Sequence, residues 1–104
     1  MSGLDNTSET VRTVATTTTL TNNDYDLLVI GATGAVTVNL PDATKLQPGR
    51  FYRCYKDAAA QTITITPFGS QTIDTASSTT LASGAIHAKG LLTDGANWFT
   101  VSSY

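Results

Sequence analysis

Charge is scarce in this chain. Of 104 residues, 13% are Asp, Glu, Lys or Arg, and the formal net charge is -2. There is no basic excess and so no electrostatic footprint for nucleic acid, and no nucleic-acid partner is expected. No apolar run approaches the ~20 residues with which a helix crosses a bilayer. Met1–Asn6 has neither a charged n-region nor an apolar h-region, so it does not read as a signal peptide, and no membrane partner is expected. One cysteine, Cys54, excludes an internal disulfide and reads as a small apolar residue in or near the core. One histidine, His87, lies between Ile86 and Ala88 with no nucleophile-and-carboxylate motif beside it. A structural or surface role is expected for it, with a cluster at an oligomer axis as the alternative. No segment of ~10 residues carries a helical stripe.

What the chain has instead is threonine, roughly a fifth of all residues against far lower ordinary usage. Threonine is β-branched and suits a pleated, half-exposed surface. The strands follow from alternation. Val14–Leu20 is β-branched and stops at Asn22-Asn23-Asp24. Tyr25–Ile30 is a short apolar run. Ala35–Leu40 places Val36, Val38 and Leu40 on one face and ends at Pro41. Arg50–Asp57 sets Phe51, Arg53 and Tyr55 against Tyr52, Cys54 and Lys56. Thr62–Thr66 turns Ile63 and Ile65 inward. Thr72–Asp74 and Thr79–Leu81 are short strands, and Ile86–Leu92 with Asn97–Val101 makes a hairpin about Asp94-Gly95. About eight short strands at this spacing predict a sandwich or barrel. No tandem repeat is visible.

The stretch Leu27–Val38, "LLVIGATGAVTV", looks like a dinucleotide-binding turn, but that site needs a helix directly after the glycines. Here Ala35–Leu40 alternates as a strand. The turn is therefore expected to be a β-hairpin joining two core strands, with Gly31 and Gly34 supplying backbone freedom. Asp24, Asp26, Asp42, Asp57, Asp74 and Asp94 fall mostly in turns, where Asx side chains bond the backbone. Arg50, Arg53 and Lys56 are expected to pair with acids on neighbouring strands or subunits. Trp98 reads as a packing anchor. No catalytic residue, cofactor site or metal site is expected.

Taken in order, "GAVTVNLPDA" (34–43), "GRFYRCYKD" (49–57), "QTITITPFGSQTID" (61–74) and "LLTDGANWFTV" (91–101) resemble a small β-domain common in the virion proteins of tailed phages. It occurs in tail fibres, spikes and head fibres. The resemblance covers roughly residues 20–101 and departs at Asp74-Thr75, where relatives often have Asp-Gly. It implies a compact antiparallel β-sandwich or jelly-roll-like knob that trimerises and serves a virion structural or adhesion role, with no catalytic residues to transfer.

The expectation is thus an all-β chain of two parts, an extended N-terminal arm over 1–19 and a knob over 20–104. Met1 followed by a short arm, with no fibre shaft, suggests a separately made part. A capsid decoration or head-fibre protein is expected, its arm docking through Leu4, Val11, Arg12 and Val14 and its knob packed by Val36, Val38, Leu40, Ile63, Ile65 and Trp98. The expected partners are two further copies in a homotrimer and a virion capsid or tail protein. The alternative is a tail-fibre or spike tip that binds a host receptor or glycan through Tyr55, Phe68 and His87.

Overall fold

Burial follows the alternation along Phe51–Lys56: Tyr52, Cys54 and Lys56 are inside, while Phe51, Arg53 and Tyr55 face outward. The same rule organises the whole chain. A computed structural model describes residues 11–58 and 61–104. Among them are nine strands: β1 (Val11–Val14), β2 (Thr18–Thr19), β3 (Asp26–Val29), β4 (Val36–Asn39), β5 (Phe51–Lys56), β6 (Ile63–Thr66), β7 (Thr79–Leu81), β8 (His87–Thr93) and β9 (Trp98–Ser103). One 3-10 turn is found among the described residues, Ala43–Lys45, capped by the Asp42 carboxylate, which accepts the Thr44 N–H at 3.0 Å.

The strands form a five-stranded sheet in the order β1-β3-β5-β8-β9 and a four-stranded sheet in the order β2-β4-β6-β7. Both sheets are mixed. From β1 to β6 the chain passes from one sheet to the other at every corner. Each strand therefore pairs with the strand two places along, in parallel: β1 with β3, β3 with β5, β2 with β4, and β4 with β6. Antiparallel pairing enters only where β7, β8 and β9 close the sheets.

The antiparallel expectation is corrected accordingly, and so is the hairpin at Gly31–Gly34. β3 and β4 lie in different sheets, and the glycine turn is the corner between them. Gly31 has φ +73, which a residue with a Cβ adopts at a cost, whereas Gly34 does not have a positive φ. Alternation reports which face of a strand is buried but carries no information on the direction of its neighbour. The stacked coils differ in length, with Val11 opposite Asp26 and Asp26 opposite Arg53, so no fixed period runs through the sequence.

Side chains from both sheets meet in one core: Leu27, Val29, Tyr52, Cys54, Leu91 and Trp98 from the first, and Val36, Val38, Ile63, Ile65 and Leu81 from the second. Leu40 follows β4 into it. Full burial of each large apolar side chain contributes roughly 1.5–3 kcal/mol. The expected strand Val14–Leu20 is two strands broken at Ala15–Thr17. Residues 11–14 and 18–19, placed in the arm by the sequence reading, are edge strands of the two sheets. Val14 packs against the core.

Edge protection explains the Thr72–Thr75 segment. The Trp98 N–H donates to the Thr72 carbonyl at 2.8 Å, the Asp74 N–H to the Trp98 carbonyl at 3.0 Å, and the Thr100 N–H to the Asp74 carboxylate at 2.9 Å. The first half of the β9 edge is thereby capped. The chain enters and leaves this cap by a two-residue turn in which Ile73 and Ala76 exchange hydrogen bonds of 2.8 Å.

Candidate functional site

One corner concentrates the polar side chains. Arg12 donates to the Asp24 carboxylate at 3.1 and 2.9 Å, and Asp24 also accepts the Thr21 N–H at 2.9 Å. The Arg50 guanidinium lies between the rings of Tyr25 and Tyr52, at 3.9 and 4.0 Å from their centroids. It donates to the carbonyls of Phe51, Asn22 and Asp24. The Tyr52 hydroxyl donates to the Thr21 carbonyl at 2.9 Å, and its ring meets Trp98 at 5.7 Å. Burial pushes the Asp24 carboxyl upward, but the Thr21 N–H and the Arg12 guanidinium together outweigh it and hold the group below the usual carboxylate range. Burial raises the Tyr52 phenol, against the opposing charge of Arg50. These groups satisfy one another, and the arrangement ties the loop between β2 and β3 to β5.

The outward face of the five-stranded sheet is different. Register places Phe51, Leu92 and Phe99 in one row and Leu28, Tyr55 and Ala88 in another. Tyr104 extends the second row, because Ala88 and Tyr104 exchange hydrogen bonds of 3.0 Å. Between the rows lie Asp26, Arg53, Gly90 and Ser102. Arg53 holds Asp26 in a fork, at 2.6 and 2.9 Å. A groove of about 480 Å³ runs over this face, with Val11, Leu28, Arg53, Tyr55 and Tyr104 among its lining residues. Gly90 makes the surface possible. A Cβ there would stand 2.6 Å from Phe51 Cζ and 2.6 Å from Ser102 Oγ, so the phenyl ring lies across the glycine.

The residues singled out from sequence scatter over the fold. Val36, Val38, Leu40, Ile63, Ile65 and Trp98 are all buried. Val11 and Tyr55 line the groove, whereas Phe68 and His87 do not. Phe68 is exposed in the loop after β6, and His87 Nδ1 is 2.9 Å from the Tyr104 carbonyl oxygen. Arg12 is committed to Asp24. Leu4 lies outside the described residues. Cys54 is buried, and its thiol is pushed up to about 12 by that burial, which removes it as a nucleophile at neutral pH.

Of the acid partners expected for the bases, the structure shows Asp26 for Arg53, on the neighbouring strand. Arg50 stacks on tyrosines, and Lys56, fully buried, donates to the carbonyls of Asp57 and Ala85. The turn role of the aspartates is seen at Asp42, at Asp94, which accepts the N–H groups of Ala96 and Asn97 at 2.9 Å, and at Asp57, which accepts the Gly31 N–H at 3.0 Å. No group of His, Cys, Asp and Glu among the described residues is placed to hold a metal ion.

Sequence reasoning missed the two features that shape this face and corner. The Arg50 stack was legible only as an arginine two residues before Tyr52. Gly90 carried a clearer signal, since a glycine inside a strand marks a close approach. These features define a mixed two-sheet β-domain with one open, aromatic sheet face. No family model matches the chain, and no curated protein matches it.

Proposed function

We propose that the chain is a non-enzymatic structural protein of a tailed-phage virion, a capsid decoration or head-fibre protein whose sandwich knob assembles as a homotrimer and projects from the particle. The observation that carries this reading is the outward sheet face, where Phe51, Leu92, Phe99, Leu28, Tyr55 and Tyr104 form two apolar rows. Rows of this kind suit contact with another protein surface. Every described aspartate has a partner within the chain, which supports a scaffold rather than acid–base chemistry. The order of sequence motifs adds the virion setting. In this reading the residues preceding β1 dock on the capsid. Cryo-electron microscopy of particles carrying the protein tests it. Knob density standing on the head upholds the assignment, and particles without it on the head overturn it.

The aromatic rims of the groove and the Arg53–Asp26 fork favour one second reading, a tail-fibre or spike tip that binds a host glycan. Stacking of sugar faces on Tyr55 and Tyr104 is the interaction it requires. Binding of the isolated protein to a glycan array, lost in Tyr55→Ala, supports this reading, and no binding to any glycan counts against it.

A further inference from the structure

The two edges of the five-stranded sheet are unequal in a way that names a partner. On β9, Thr72 and Asp74 occupy the outward N–H and C=O of Trp98 and the outward N–H of Thr100. Beyond Thr100 the cap ends. Ala88 and Tyr104 exchange both of their hydrogen bonds, so the neighbouring pair, Lys89 and Ser103, is a non-hydrogen-bonded one. The N–H and C=O of Ser103 therefore point away from β8, toward the open edge.

The opposite edge has the same property. The Val14 carbonyl accepts the Ile30 N–H, so Val14 and Arg12 face β3. Alternation then turns the N–H and C=O of Val11 and Thr13 outward. Among the described residues nothing caps either stretch, neither carries a proline, and each is flanked by exposed apolar side chains. Val11 is 61% exposed, Val101 is 53% exposed and Tyr104 is 69% exposed. Natural edges are ordinarily blunted by charge, proline or a covering segment. Here the covering segment stops where the apolar stretch begins.

We propose that the uncapped end of β9, Val101–Tyr104, pairs with β1 of a second copy of this chain, continuing the five-stranded sheet from one subunit into the next. Backbone donors and acceptors on Ser103 and Thr13 supply the bonds, and Val11 is covered against Val101 and Tyr104. Such a contact is head-to-tail, so it closes into a ring when the rotation between copies permits. The inference deepens the homotrimer reading and rests on it for the number of subunits.

Proline at an outward-pointing position removes only the open-edge donor, leaving pairing with the inner neighbour intact. Sedimentation velocity on the wild type, Ser103→Pro, Thr13→Pro and Val101→Lys is the test, with thermal melts to confirm that each is folded. The expected result is an assembled wild type and, for each folded variant, a midpoint of dissociation shifted ~10-fold or more toward higher concentration. Folded variants that assemble like the wild type overturn the edge pairing while leaving the trimer standing. A wild type forming dimers or filaments that the variants abolish upholds the pairing and removes the trimer. A wild type that is monomeric at high micromolar concentration overturns both. If the proline variants do not fold, Val101→Lys decides alone, because its side chain is exposed and its charge only guards the edge.

Discussion

The Asp74 carboxylate accepts the backbone N–H of Thr100 at 2.9 Å, and the turn that delivers it is strained. Asp74 has φ +51 and Thr75 has φ +68, adjacent left-handed positions filled by residues with a Cβ. Aspartate tolerates this region, but a β-branched threonine does not. Thr75→Gly is therefore expected to stabilise the protein by ~1 kcal/mol, as an increase in urea midpoint with an unchanged slope. A lower midpoint would mean that Thr75 contributes more than its strain costs.

Acid is expected to weaken the fold in a defined window. The Asp74 carboxyl is lowered by its hydrogen bonds with Thr100, and that of Asp94 by the N–H groups of Asn97 and Ala96. Asp42 is lowered by Thr44 and Gln71. Asp24 is lowered by Thr21 and Arg12 against the opposing effect of its burial. A carboxyl with a depressed folded value stabilises the fold above its unfolded value, near ~3.9, and that contribution disappears as pH falls through the folded value. Stability measured in urea should be flat from neutral pH down to ~5 and fall below ~4. Asp24→Asn should lower the neutral-pH plateau and make the acid limb shallower. An unchanged acid limb would place the proton uptake elsewhere.

How far the sequence could be read depends on what alternation encodes. Burial along Ile63–Thr66 and Phe51–Lys56 was legible because a period of two separates inside from outside. The β8–β9 hairpin was legible because Asp94-Gly95 is a local turn signal. Parallel stacking was not, because the partner of Leu27 is Cys54, far along the chain and reached through a coil of the other sheet. The groove was half legible. Tyr55 was picked out, but Arg53, Asp26 and Tyr104 gather beside it only through register. The Arg50 stack needs two segments distant in sequence, Asn22–Tyr25 and Arg50–Tyr52, to meet and has no pattern of its own.

The core of the four-stranded sheet gives a sharp contrast within three residues. Ile63 and Ile65 are fully buried, and Thr64 between them is half-buried on the outer side. Ile63→Ala and Ile65→Ala are each expected to cost ~2–5 kcal/mol, the range for deleting a large aliphatic group from a packed interior. Thr64→Ala should cost well under ~1 kcal/mol, since only a half-exposed hydroxyl and methyl are lost. Equal losses at the three positions, measured by chemical denaturation, would contradict the facing of β6.

Gly90 and Phe51 should be energetically coupled. A methyl group at Gly90 would meet the Phe51 ring at 2.6 and 2.9 Å and Ser102 Oγ at 2.6 Å. The serine can rotate away, but the phenyl ring must leave the surface it covers. Gly90→Ala is therefore expected to destabilise the fold by ~1–3 kcal/mol, the cost of overpacking. Phe51→Ala alone exposes the strand beneath it and costs stability of its own. In the double variant the methyl group has room, so the two losses should fall short of their sum by ~1 kcal/mol or more. Strict additivity would show that Ser102, rather than the ring, limits this position. A Gly90→Ser variant would then be as costly in the Phe51→Ala background as in the wild type, because the side chain would still meet Ser102.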